Sequence, residues 1–178
     1  MKHLGRMNKI SAIKRLKNWK FWVIIPCFLY LIIGNQIPTL ASIHAYPESP
    51  TQTMYRSVQS FRDAGDKAWQ VVLYKRVKSG LVDSIHLRLV GFPGIVELSH
   101  PESLKITAGT GEVWQAKDVW DELSLPGNVG EYDLLEFMKE LDYNTPLRLN
   151  LPLKDNQVVE LSIPPFAVEE WRKLVFNY

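Results

Sequence analysis

The chain has 178 residues, enough for one domain and a leader, since single domains run to about 100–200 residues. Its formal net charge of +2 hides an asymmetry: seven of the 21 basic residues precede Ala45 and no acid occurs before Glu48, so the remainder carries 14 basic residues against all 19 acids. That acidic balance gives no electrostatic reason to expect nucleic acid, and the single cysteine, Cys27, leaves the later domain without disulfides or a thiolate nucleophile.

Residues 21–33, FWVIIPCFLYLII, form an apolar run behind a purely basic tail, the layout of a secretory signal. Small residues at Ala41 and Ala45 offer points of cleavage, although neither site is a clean A-x-A. The run free of Asp, Glu, Lys and Arg extends from Phe21 to Pro47, so retention as an N-terminal membrane anchor is the alternative; a spanning helix needs about 20 mostly apolar residues. Gly34, Asn35, Gln36 and Pro38 interrupt that run and favour cleavage. On either reading, residues 1–45 are expected to leave the basic tail on the cytoplasmic side of a membrane and the domain on the other, because Lys and Arg stay inside. Pro26 occupies the place where a lipoprotein signal needs a small residue before its cysteine.

Past the leader, 46–53 (YPESPTQT) reads as a polar, proline-containing linker into a domain over 54–178. The β-rich runs MYRSVQSF (54–61), KAWQVVLYKRV (67–77) and LVDSIHLRLV (81–90) are separated by DAGD and KSG, which predicts a meander of three antiparallel strands. In the third run Ile85, Leu87 and Leu89 share one face while Ser84, His86 and Arg88 share the other, the alternation of a half-buried strand. The second carries Trp69, Val71 and Leu73 against Val72 and Tyr74, which predicts a central strand.

GFPG (91–94) reads as a turn, Ile95–Leu98 and Leu104–Thr107 as short extended pieces, and Ala116–Leu123 as a short helix with Val119, Trp120 and Leu123 inward. EYDLLEFMKEL (131–141) predicts a better helix, with Leu134, Leu135, Met138 and Leu141 on one stripe and acids in the first turn. PLRLNLPL (146–153) alternates cleanly and turns through KDNQ into VVELSI; Pro152 cannot donate to a ladder, which predicts an edge strand. A closing helix follows Pro164-Pro165, with Ala167, Trp171 and Leu174 packing and an i,i+4 pair between Glu169 and Lys173. Together these elements predict an α+β fold: a two-layer domain whose antiparallel sheet, meander plus C-terminal hairpin, has two main helices on one face.

Motifs for chemistry are sparse. ITAGTGEVW (106–114) lacks the lysine and hydroxyl of a phosphate loop and the third glycine of a dinucleotide fingerprint, so it reads as a tight turn. His86 and His100, without a cysteine, make a poor metal site, and no cofactor is expected. Ser84 and His86 share a strand face, but no G-x-S-x-G elbow surrounds the serine. Asp133, Glu136 and Glu140 read as the solvated face of a helix. Arg56, His86, Arg88, Arg148 and Lys154 would share one basic sheet face if the strands register as predicted, a surface suited to an acidic partner or anionic lipid headgroups, or equally to protecting the sheet against edge-to-edge pairing. Trp69, Trp114, Trp120 and Trp171 are core or interface anchors; Trp114 or Trp120, beside LPGNVG (125–130), is the candidate for an exposed contact.

The stretches YPESPTQTMYRSVQSFRD, AWQVVLYKRV, SIHLRLVGFPG, LKITAGTGEVWQA and PPFAVEEW resemble a family of exported cyanobacterial proteins classified only as a domain of unknown function. The resemblance runs from about Tyr46 to Trp171; it implies a periplasmic or thylakoid-lumenal setting and brings no active site with it. The expected function is an exported, non-enzymatic accessory or interaction protein with a protein partner in or at a membrane. Its partner-binding candidates are His86, Arg88, Arg148, Lys154, Trp114 and Trp120, and residues 21–33 would touch the bilayer if the leader is retained. The alternative is a small-ligand-binding or hydrolytic domain with a pocket near Ser84 and His86.

Overall fold

A computed structural model of the chain describes residues 43–121 and 125–178; the expectations placed on the leader lie outside the described residues. In chain order its elements are β1 (His44–Ser49), β2 (Gln52–Arg62), β3 (Ala68–Lys78), β4 (Leu81–Val90), β5 (Leu104–Ala108), β6 (Val113–Ala116), β7 (Val129–Asp133), α1 (Leu135–Glu140), β8 (Leu147–Leu153), β9 (Gln157–Ile163) and α2 (Pro165–Asn177). Among the described residues, no helix is long and apolar enough to cross a membrane.

The fold is mostly antiparallel β-structure with two helices, but its strands divide between two sheets rather than forming one. One sheet has the order β1-β2-β3-β4-β7 and the other β6-β5-β8-β9. The meander 54–90 is present as β2, β3 and β4, with β3 central as the two-sided apolar pattern predicts. Residues 46–53, read from their prolines as a linker, lie in the β1–β2 hairpin, where Tyr46 pairs with Met54 and Ser49 with Gln52.

The C-terminal hairpin β8–β9 joins the second sheet because β5 pairs with β8, with Ile106 opposite Leu149 and Ala108 opposite Leu147. That pairing makes β8 an internal strand, correcting the edge assignment drawn from Pro152. An extended residue points its N–H and C=O to the same side, so the side of Pro152 is marked by its carbonyl, which accepts from Ser99 N–H at 3.0 Å. The β5 ladder ends at Asn150, so the missing donor falls beyond it.

The segment 131–141 is not a continuous helix: residues 129–133 form β7 beside β4, and α1 starts only at Leu135. Asp133 is therefore in a strand, and its Oδ1 accepts from Leu135 N–H at 2.9 Å. The helix expected over Ala116–Leu123 is not found among its described residues: Ala116 ends strand β6, residues 117–121 are irregular apart from a bridge between Asp118 and Tyr132, and Glu122 and Leu123 lie outside the described residues. Ile95–Leu98 is not a strand: Ile95 ends a turn, Val96 and Glu97 are irregular, and only Leu98 makes a bridge, to Leu153. GTGE closes the β5–β6 hairpin, with Gly111 at φ +95°, a conformation that a side chain would strain.

The alternation of β4 is realised: Ile85, Leu87 and Leu89 are buried. They join Trp69, Val71 and Leu73 of β3, Leu147, Leu149 and Leu151 of β8, and Leu161 and Ile163 of β9 in one core. Helix α2 begins at Pro165 as expected and buries Ala167, Val168, Trp171 and Leu174, while Glu169 and Lys173 pair at 2.6 Å on its outside. Polar contacts fasten this helix as well. Ser57 and Gln59, on the inward face of β2, donate to the Glu170 carboxylate, and Lys75 Nζ of β3 donates to the Val175 carbonyl at 2.9 Å. A lysine at a helix C-terminus meets the negative end of the dipole.

The turn between β2 and β3 depends on Asp63. Its Oδ1 accepts from Gly65 N–H at 2.8 Å and Lys67 N–H at 3.0 Å, and its Oδ2 accepts from the buried Trp69 indole at 2.9 Å. Burial alone would raise the carboxyl pKa; the Trp69 bond and the two backbone bonds outweigh it and hold the group below its ordinary value. Asp63→Ala leaves three donors unpaired, one in the core, and is expected to cost about 2 kcal/mol in urea denaturation, whereas Asp63→Asn, which keeps an acceptor, loses less.

Candidate functional site

The two faces of the five-stranded sheet differ. Helix α2 packs on the inward face, where Ser57, Gln59 and Lys75 meet it. The outward face has no helix over it among the described residues. Two cross-strand rows run across its centre: Arg56, Tyr74, His86 and Asp133, then Val58, Val72, Arg88 and Glu131. These rows arise because β2, β3, β4 and β7 are in direct register, so residues far apart in sequence become neighbours on one face.

Glu131 is the hub. Its Oε1 accepts from Tyr74 Oη and lies 3.1 Å from His86 Nδ1, while its Oε2 accepts from Arg88 Nε at 2.9 Å and Nη2 at 2.6 Å. His86 Nδ1 also lies 3.2 Å from Tyr74 Oη. With Tyr74 donating to the carboxylate, the His86 tautomer that carries its proton on Nδ1 donates to the same oxygen. The Glu131 side chain is only 10% exposed. Burial pushes its pKa up, but hydrogen bonds from His86, Tyr74 and Arg88 and the Arg88 charge prevail and hold it at about 2. Burial and the bond to Glu131 push the Tyr74 phenol well above its ordinary range. One group is thus held ionised and the other neutral, with both bonded to each other.

Beside this network lies a concavity of about 320 Å³ open to solvent. Val58, Val72, Val90 and Val129 line its floor together with the amide of Gln70, which stands opposite Val90; Leu125 borders it, and Arg56 and Arg88 flank it. Arg56 reaches over the Tyr46 ring, 4.2 Å from its centroid, and Nη2 donates to Tyr46 Oη at 2.8 Å. Its Nε is buried without a partner, and no carboxylate lies within ion-pair distance of it among the described residues. Arg76, farther along the face, pairs with Glu48 at 3.1 Å.

The sequence-derived candidates fall in separate places. His86, Arg88 and Arg56 come together on the outward face. Arg148 is in β8, opposite Thr107 and Ser162, and Lys154 is in the short turn Lys154–Asn156, paired with Glu97. Those two sit with the four-stranded sheet, so the five-residue basic face divides. Trp114, in β6, stands edge-on to Phe137 at 5.1 Å and donates to Glu140 at 2.7 Å. Trp120 stacks on His100 at 4.0 Å, and His100 Nδ1 lies 2.6 Å from Asp118 Oδ2. Ser84 shares its strand face with His86 yet makes no side-chain hydrogen bond among the described residues. No cluster suited to a metal ion occurs among the described residues.

Sequence reasoning missed Glu131 and Tyr74 as site residues. The signal for Glu131 was the alternation in VGEYD, with Val129, Glu131 and Asp133 facing opposite to Gly130 and Tyr132. It was obscured by the leucine stripe that follows.

A family model described as a protein of unknown function (DUF3122) matches residues 41–174. No curated protein and no solved structure matches the chain.

Proposed function

We propose that this chain, which belongs to the DUF3122 family of proteins of unknown function, is an exported, non-enzymatic accessory protein that recognises a protein partner in or at a membrane through the outward face of its five-stranded sheet. The observation that carries this reading is the closure of the Glu131 network. Both carboxylate oxygens are occupied, the carboxyl is held at a pKa of about 2, and the adjacent phenol is held neutral, so neither suits proton transfer near neutral pH. Such a network instead fixes Arg88 and His86 in place beside an apolar floor. Fixed polar groups around a small apolar depression are what a recognition surface needs, because little side-chain entropy is then lost on binding. Export follows from the basic tail and apolar run ahead of the domain.

The test is co-purification of the full chain from its own cell membranes in mild detergent. Val72→Glu places a charge on the valine floor and is expected to reduce the recovered partner by about tenfold, as for a central contact residue. Val113→Glu, on exposed β6 of the other sheet, is expected to leave recovery unchanged. A partner recovered equally with both variants would place recognition elsewhere, and recovery of none would overturn the reading.

A further inference from the structure

Among the described residues Arg56, beside the valine floor, has no carboxylate partner, and this narrows what the outward face can receive. Two guanidinium groups border the same depression, but their charges are not equivalent. Arg88 spends its charge on Glu131, through two bonds to one oxygen. Arg56 is stacked on Tyr46 and hydrogen-bonded to its neutral hydroxyl, with Nε buried and unpartnered. The planar fork of arginine fits carboxylates, and a cation held against an aromatic ring keeps its orientation without being neutralised. The depression thus offers a floor of four valines with one amide, Gln70, and one directed positive charge.

Size and shape choose among occupants. At about 320 Å³ the depression lies at the small end of ligand sites, and it is open to solvent. An isolated small molecule there would leave much of its own surface wet, whereas sites for such molecules bury some 70–90% of the ligand. A side chain projecting from a larger partner has no such difficulty, because the rest of the partner covers the rim.

Resting on the recognition role just described, we infer that the depression over Val58, Val72, Val90 and Val129 receives one apolar side chain of a protein partner, with an adjacent carboxylate of that partner paired to Arg56. The recognised element is an acidic, apolar segment. The Glu131 network supports it by keeping Arg88 from competing for that carboxylate.

The experiment uses the purified full chain and two fluorescein-labelled peptides, one with a leucine flanked by two aspartates and its counterpart with asparagines, followed by fluorescence anisotropy. The acidic peptide is expected to bind about fivefold more tightly than the neutral one, the preference an exposed charge pair supplies. Arg56→Gln is expected to remove the preference, so that the two peptides bind equally, and Val72→Glu is expected to abolish both. Equal binding of the two peptides to the unaltered chain, or a preference that survives Arg56→Gln, overturns the inference. Decanoate displacing nothing is expected; decanoate binding more tightly than the acidic peptide would assign the depression to a lipid carboxylate and overturn the protein source. If the peptides fail but Val72→Glu still releases the membrane partner, the face is a recognition surface and the acidic, apolar specificity is wrong.

Discussion

Trp171→Ala is expected to lower unfolding free energy by about 3–5 kcal/mol, the range for emptying a large aromatic from a core. Trp171 is fully buried on α2, among Ala167, Val168 and Leu174, and α2 is the helix that covers the inward face of the five-stranded sheet. The side chain lies between two fixed points: Glu170 is held by Ser57 and Gln59, and the Val175 carbonyl is held by Lys75. With both ends tied, the helix cannot settle into the space left by the indole, so the cavity term persists. The indole Nε1 has no hydrogen-bond partner, so its removal strands no polar atom. Trp171→Phe, which keeps most of the apolar volume and deletes the unpaired N–H, is therefore expected to cost much less. Urea denaturation followed by circular dichroism separates the two variants; equal losses would show that burial of the helix face is not limited by the indole.

Glu131→Gln is the second large effect, and it depends on pH. The folded carboxyl sits at about 2 against an ordinary value of 4.5, a difference of about 3 kcal/mol between its two protonation states. A carboxyl with a depressed folded pKa contributes stability that is complete above pH 4.5 and declines as pH falls towards 2. The unaltered chain should therefore lose stability over that interval, and Glu131→Gln should lose about 3 kcal/mol at pH 7 while flattening the same acid limb. Removing the carboxylate alone leaves the Arg88 guanidinium without its acceptor, so Glu131→Gln with Arg88→Met is expected to recover part of the loss. Urea midpoints at pH 7, 5 and 3 check both statements. An acid limb that stays as steep in Glu131→Gln would assign the pH dependence to other carboxyls.

What could be read before folding was whatever local pattern determines. The alternation of Ile85, Leu87 and Leu89 gave the buried face of β4, and apolar residues on both sides of β3 gave its central place. Pro165 at the first turn and the stripe through Trp171 gave α2. The division into two sheets was not legible, because alternation says which way a side chain faces and nothing of which strand lies alongside. Strand β8 pairs with β5 across some 40 residues of chain, and no local signal in 146–153 names that neighbour. Pro152 misled for a related reason: a missing donor marks an edge only where a neighbour would have used it, and the β5 ladder stops short.

The candidate site was half legible. His86 and Arg88 stood out by alternation, but their bonding partner Glu131 comes from 43 residues beyond Arg88. The stripe of Leu134, Leu135, Met138 and Leu141 drew that glutamate into a helix, although α1 uses the stripe only from Leu135 onward. Arg148 and Lys154 were grouped with His86 because they alternate similarly, and the partition into two sheets separates them.

Asp63 closes the turn between β2 and β3, accepts from Trp69, and also forms a bridge with Leu161 of β9. One residue is thus shared by a hairpin of the first sheet and an outer strand of the second. Neither can fray at that corner without disturbing the other. Amide protection near Leu161 and near Gly65 should consequently report a single cooperative opening, and the two sheets, separate as hydrogen-bonded ladders, behave there as one unfolding unit.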